Sequence, residues 1–116
     1  MNEYILIFRY TPNENFKPAP KEENTNKQAW GEWVGEIASQ VKFVSINRIG
    51  FEGIIINPNL ESTPGFYQDS NTKEMVSGNM IIKSDSLKEA SELAKGCPIL
   101  SLGGSVEVRS LIPMAN

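Results

Sequence analysis

Alternation opens the chain. Tyr4, Leu6, Phe8 and Tyr10 fall on one side of an extended segment, and Ile5 and Ile7 on the other, ahead of Arg9. Residues 3–10 therefore predict a strand that is apolar on both faces. Such a strand sits centrally, with something covering each face of its sheet. Residues 11–24 break the pattern with Pro12, Pro18 and Pro20. They predict a long connection, either a loose loop or a flap over a site.

The period then turns helical from about Thr25 to Gln40. Thr25 and Gln28 have capping-box spacing, and Trp30, Trp33, Val34, Ile37 and Val41 form one stripe. Gly31 and Gly35 each cost about 1 kcal/mol against alanine. They mark the close approach of another backbone or are simply tolerated. Residues 42–49 predict a strand with Phe43, Ser45, Asn47 and Ile49 on one face. Gly50 and Gly53 bracket a turn to a short strand, Ile54–Ile56, completing a hairpin. Asn57–Thr72 reads as loop, with Phe66 and Tyr67 anchoring it or reaching a pocket.

Met75–Lys83 predicts a strand, with Gly78 a bulge or close-approach point. Ser86–Lys95 is the clearest helix. Ser86 and Glu89 have capping-box spacing, Leu87, Ala90, Leu93 and Ala94 make the buried stripe, and Gly96 is the expected left-handed stop. Pro98 forbids continuation. Val106, Val108 and Ser110 alternate with Glu107 and Arg109, a closing strand with one wet face.

Strand, helix, strand hairpin, strand, helix, strand is the order of a ferredoxin-like split βαβ unit. It is an α+β fold with an antiparallel sheet and both helices on one face. Two helices cover one face only, yet the first strand is apolar on both. The simplest cover for the other face is a second copy, so patterning predicts a homodimer, a dimeric α+β barrel.

Composition narrows the chemistry. The 116 residues carry a net charge of −3 and no basic run, which disfavours nucleic acid and membrane partners. The apolar run Tyr4–Phe8 is too short to be a signal or membrane segment. One cysteine rules out an internal disulfide and suits a cytoplasmic, reducing compartment. Histidine is absent, which removes Ser-His-Asp and Cys-His pairs, imidazole metal ligands and a haem histidine. No metal and no cofactor is expected, and any proton transfer falls to Asp, Glu, Lys, Tyr or the substrate.

Several segments together carry a resemblance. They are Lys73–Gly78, Ile81–Ala90, Leu93–Pro98, Gly104–Arg109, the N-terminal Glu3–Arg9, and Trp30-Gly31-Glu32-Trp33. In these the chain resembles the YCII-related family, and in particular its DGPF branch, over nearly all of residues 1–116 outside the two long loops. The resemblance implies a single domain with a dimeric α+β-barrel fold. Two departures stand out. Where the Asp-Gly-Pro-Phe motif belongs, the chain reads Phe66-Tyr67-Gln68-Asp69-Ser70-Asn71-Thr72, and the histidine that pairs with an aspartate in other members is missing.

Arg9 is the sharpest candidate. If the helices cover the face opposite Ile5 and Ile7, its guanidinium points into the dimer interior and needs a partner. That partner is a protein carboxylate or a ligand carboxylate or phosphate. Lys73 and Glu74 precede a strand, and Asp69 is a possible carboxylate base; the competing reading is a solvated turn. Trp30, near the long connection, is a candidate stacker or a core residue. Cys97, after a helix C-terminus, reads as a small buried apolar side chain. Gly103-Gly104 is too short for a phosphate loop. Two functions are expected from this pattern: binding of a small anionic or aromatic molecule near Arg9, or a non-catalytic interaction module with a filled interior. A monooxygenase follows from fold analogy alone.

Overall fold

The computed structural model describes residues 1–12 and 20–114. Its centre is β1 (Asn2–Tyr10), hydrogen-bonded on one side to β5 (Met75–Ser84) and on the other to β6 (Ser105–Ser110). Beyond β5 lies β2 (Phe43–Arg48), so the sheet runs β2-β5-β1-β6 with every neighbour antiparallel. The helices are α1 (Pro20–Ser39) and α2 (Leu87–Ala94), followed by a short 3₁₀ turn, Pro98–Leu102. This is the ferredoxin-like α+β arrangement that the order of elements predicted.

Both helices lie on one face. Tyr4, Leu6, Phe8, Met80 and Ile82 point from the sheet into one cluster with Trp33 and Ile37 of α1 and Ala90 and Ala94 of α2. The Trp33 indole donates to the Leu93 carbonyl (3.0 Å), which ties the helices together. On the other face Ile5 stands beside Ile81 and Arg109, and Ile7 beside Asn79 and Glu107. These isoleucines are half-buried, and neither helix covers them. The double-sided pattern of β1 thus has one face closed and one open.

Gly78 is a close-approach point. A Cβ there would meet the Asn47 carbonyl oxygen at 2.5 Å and the Phe8 ring at 3.5 Å. The β1–β5 register shifts beside it, between Phe8 and Arg9. At α2 the Ser86 hydroxyl accepts from the Glu89 amide (3.0 Å), as the capping spacing predicted. The Glu89 carboxylate turns elsewhere, to Lys42 Nζ (2.7 Å) and the Ser84 hydroxyl (3.0 Å). That contact fastens the start of α2 to the ends of β5 and β2.

Several boundaries differ from the sequence reading. Residues 13–19 of the predicted connection lie outside the described residues, and α1 begins at Pro20 rather than Thr25. Proline suits a first helical turn because its missing N–H has no partner there anyway. Gln28, expected in a capping box, instead donates along the helix to Glu32 (3.2 Å). Val41 is not on the buried stripe; it is 78% exposed with φ 60°, past the end of the helix. Leu87 is half-exposed because α2 turns only Ala90 and Ala94 fully inward.

Gly96 is not the left-handed stop. Lys95 caps α2 in a right-handed conformation, and glycine is needed because the Trp33 ring would sit 2.9 Å from a Cβ. A shift between Phe43 and Ser45 puts Phe43 against the core while Ser45 and Asn47 face the open side. The predicted hairpin of β2 with Ile54–Ile56 does not form. Instead β3 (Ile54–Ile56) pairs with β4 (Ser62–Pro64), inside the stretch read as loop, and makes a separate two-stranded arm.

Candidate functional site

The C-terminal end of β1, the first residues of β5 and the start of β6 meet at one corner of the open face. The register places Arg9 opposite Ser105 on β6, and Glu107 opposite Ile7. Arg9 reaches along the strand to Glu107 (Nη1 to Oε1, 2.6 Å), and Arg109 donates to the other carboxylate oxygen (3.1 Å). One carboxylate is thus divided between two guanidiniums, each meeting it through a single nitrogen. The Arg9 and Glu107 side chains are about one-third exposed and Arg109 two-thirds. Such pairs add little to stability, and the trio carries a surplus positive charge.

The guanidinium of Arg9 first, then that of Arg109, holds the Glu107 carboxyl below its ordinary value of 4.5. Ser105, next to this trio, donates to Glu74 Oε2 (3.2 Å). Glu74 is half-buried. It therefore joins the corner that Arg9 occupies, as a second carboxylate.

Asp69 and Lys73 shape the turn that delivers Glu74. The Asp69 carboxylate accepts from the Asn71 and Thr72 amides (2.8 and 2.7 Å), which holds it below the usual aspartate range. The Lys73 amide donates to the Asp69 carbonyl (2.9 Å) and the Asp69 amide to the Glu74 carbonyl (2.8 Å). Lys73 itself has φ 64°, a left-handed conformation that costs a side-chain-bearing residue about 1–2 kcal/mol. Thr11 at the end of β1 ties the turn down by donating to the Thr72 carbonyl (2.8 Å). Asp69 is thereby occupied with backbone amides, and the turn rather than its carboxylate is what it contributes.

Trp30 lies elsewhere. Its ring stacks edge-on against Phe8 (5.0 Å) and Trp33 (5.6 Å), on the helix side of the sheet, so the sheet stands between it and Arg9. Cys97 is buried, and loss of hydration pushes its thiol up to about 12, far from a nucleophile's range. Burial likewise raises the Tyr10 phenol, against the pull of nearby Arg48. Among the described residues, no group of three or more acidic, cysteine or histidine side chains is placed to hold a metal ion. No described helix is long and apolar enough to cross a membrane.

Of the sequence candidates, Arg9 and Glu74 come together, Asp69 and Lys73 build the adjoining turn, and Trp30 stands apart. Ser105, Glu107 and Arg109 were missed as site residues. Their alternation marked a wet face, but only the β1–β6 register brings that face to Arg9.

A ferredoxin-like sheet with a charged corner on its uncovered face is the class of protein that this geometry defines. The chain belongs to the YCII-related domain family, whose model matches residues 3–115. No curated protein matches it.

Proposed function

We propose that the chain works as a homodimer, its open sheet faces packed together, and binds a small anionic molecule at the Arg9 corner. The DGPF branch, with its motif replaced by Phe66–Thr72, is the part of the family into which we place it. The observation that carries the site is the sharing of Glu107 by Arg9 and Arg109. A guanidinium has five N–H donors, and each of these meets Glu107 through one nitrogen, so both retain donors for a second acceptor. A ligand carboxylate fits this surplus by charge-assisted bonds.

Glu74 supports the binding of a ligand hydroxyl or amine and is the residue placed to accept a proton if the ligand reacts. Lys73 keeps a costly backbone conformation in the neighbouring turn, which favours a role for its ammonium there. Apolar Ile5, Ile7 and Ile81 beside the corner suit an aromatic or aliphatic body on the acid. The buried, unreactive Cys97 suits a cytoplasmic setting.

A second reading follows from the same ion pair. Arg9 already has a partner in Glu107, which favours an interaction module whose charged corner only fixes the orientation of two copies. A thermal-shift screen of small aliphatic and aromatic carboxylic acids separates the two. Binding to the native state raises the melting temperature of the wild type and not of Arg9→Ala. Equal responses of both proteins, or none to any acid, reject the site and leave the interaction module.

A further inference from the structure

The β3–β4 arm is a hairpin tied at its root and its tip, with apolar side chains turned outward. Ile54 and Ile56 are each 68% exposed, and Leu60 at the tip is 83% exposed. The arm is not a loose excursion. At its root Phe51 and Phe66 pack ring against ring (6.3 Å), and the Gly65 amide donates to the Gly53 carbonyl (2.8 Å). At its tip Asn57 donates through its backbone to the Glu61 carbonyl (2.8 Å) and through its side chain to the Thr63 hydroxyl (3.1 Å). The radius of gyration is 15.7 Å, against about 13 Å for a compact chain of this length. A two-stranded hairpin with three residues per strand is marginal by itself, so an outward apolar face calls for a cover.

Charge identifies the cover. Between Arg48 and Lys73 the sequence holds no basic residue, and the arm carries Glu52 before it and Glu61 near its tip, so its charge is acidic. That composition repels anionic lipid and nucleic acid alike. The open sheet face of the same chain offers cations to it: Arg9, Lys83 and Arg109 stand there among Glu3, Glu74 and Glu107, and Arg109 is two-thirds exposed. Area points the same way. Four strands about 4.8 Å apart, of six, ten, nine and six residues, project to about 500 Å², short of the ~800 Å² per partner that a stable complex buries. The sheet face needs an added contact, and the arm brings to it exposed isoleucines together with the Glu61 carboxylate.

We infer that the arm is a clasp: in the homodimer proposed above, on which this rests, it laps onto the open face of the second copy. Ile54 and Ile56 meet the apolar strip there, and Glu61 meets Arg109 of that copy.

Sedimentation equilibrium of the full chain tests this with four proteins: wild type, Ile54→Asp/Ile56→Asp, Glu61→Arg, and Glu61→Arg/Arg109→Glu. Circular dichroism confirms that each is folded, as expected for changes at exposed positions. The clasp predicts that the double aspartate variant dimerises about tenfold more weakly or worse. Glu61→Arg also weakens the dimer, and adding Arg109→Glu restores it. A wild-type dimer that the aspartates leave untouched overturns the clasp while the face-to-face dimer stands. A charge swap that fails to restore assembly overturns the Glu61–Arg109 contact. A monomeric wild type overturns both the clasp and the dimer, and assigns the arm to a different partner.

Discussion

Glu107 is the residue on which the candidate site turns. Its carboxylate is held ionised below its ordinary value by Arg9 and, less strongly, by Arg109. A folded-state pKa lowered in this way contributes stability that is complete above the ordinary value of 4.5 and is lost as pH falls through the lowered one. Glu107→Gln keeps an acceptor but cannot titrate. Melting temperatures measured from about pH 5 down to about pH 3 are therefore expected to fall more steeply for the wild type than for Glu107→Gln. Parallel curves would mean that the ion pair does not differ between the folded and unfolded chain. Asp69 and Glu89 also titrate low, but against backbone amides and against Lys42 respectively, so they contribute to both curves alike.

Helix α1 carries two glycines that open onto empty space among the described residues. Among the described residues, a Cβ on Gly31 or Gly35 has no atom within 4 Å, so packing against them requires neither glycine. Gly31→Ala and Gly35→Ala are each expected to stabilise the protein by about 0.5–1 kcal/mol, read from the midpoint of urea unfolding. A loss of stability or of assembly would instead mark this helix face as a contact with another molecule.

The contrast with Gly96, where Trp33 occupies the space of a side chain, shows what the sequence could express. Periodicity located both helices and strands β1 and β5 because each buries one face, and burial leaves a period; β2, with only Phe43 packed against the core, left a weaker one. It could not tell a glycine that ends a helix from one that admits an indole, because both occur at the same place in the chain. Nor could it find β4, whose Ser62-Thr63-Pro64 has no apolar alternation because the arm lies outside the core. The capping spacing at Thr25 and Gln28 misled for a related reason. Local spacing is silent on whether a helix has already begun, and here it had begun at Pro20.

At the scale of the whole molecule, the uneven cover of β1 dominates. Tyr4, Leu6 and Phe8 are sealed by the helices, while Ile5 and Ile7 are left with Ile81 on an open face rimmed by Arg9, Glu107 and Arg109. The corner was only half legible in the sequence. Arg9 and Glu74 could be singled out by their place at strand ends, but their neighbours on β6 depend on a pairing of residues about a hundred positions apart. A second copy over this face would shield the isoleucines and enclose the corner in a drier, lower-dielectric space, where charge-assisted bonds to an acid are stronger. Fully burying an isoleucine contributes about 1.5–3 kcal/mol, so a charge at Ile7 is expected to abolish the contact.

Sedimentation velocity of the wild type and of Ile7→Lys, at micromolar concentration, tests the proposed homodimer most directly. The expected result is a wild-type species of twice the 12.9 kDa chain mass and a folded, monomeric Ile7→Lys. A wild type that sediments at the mass of one chain, or an Ile7→Lys that stays dimeric, would contradict it.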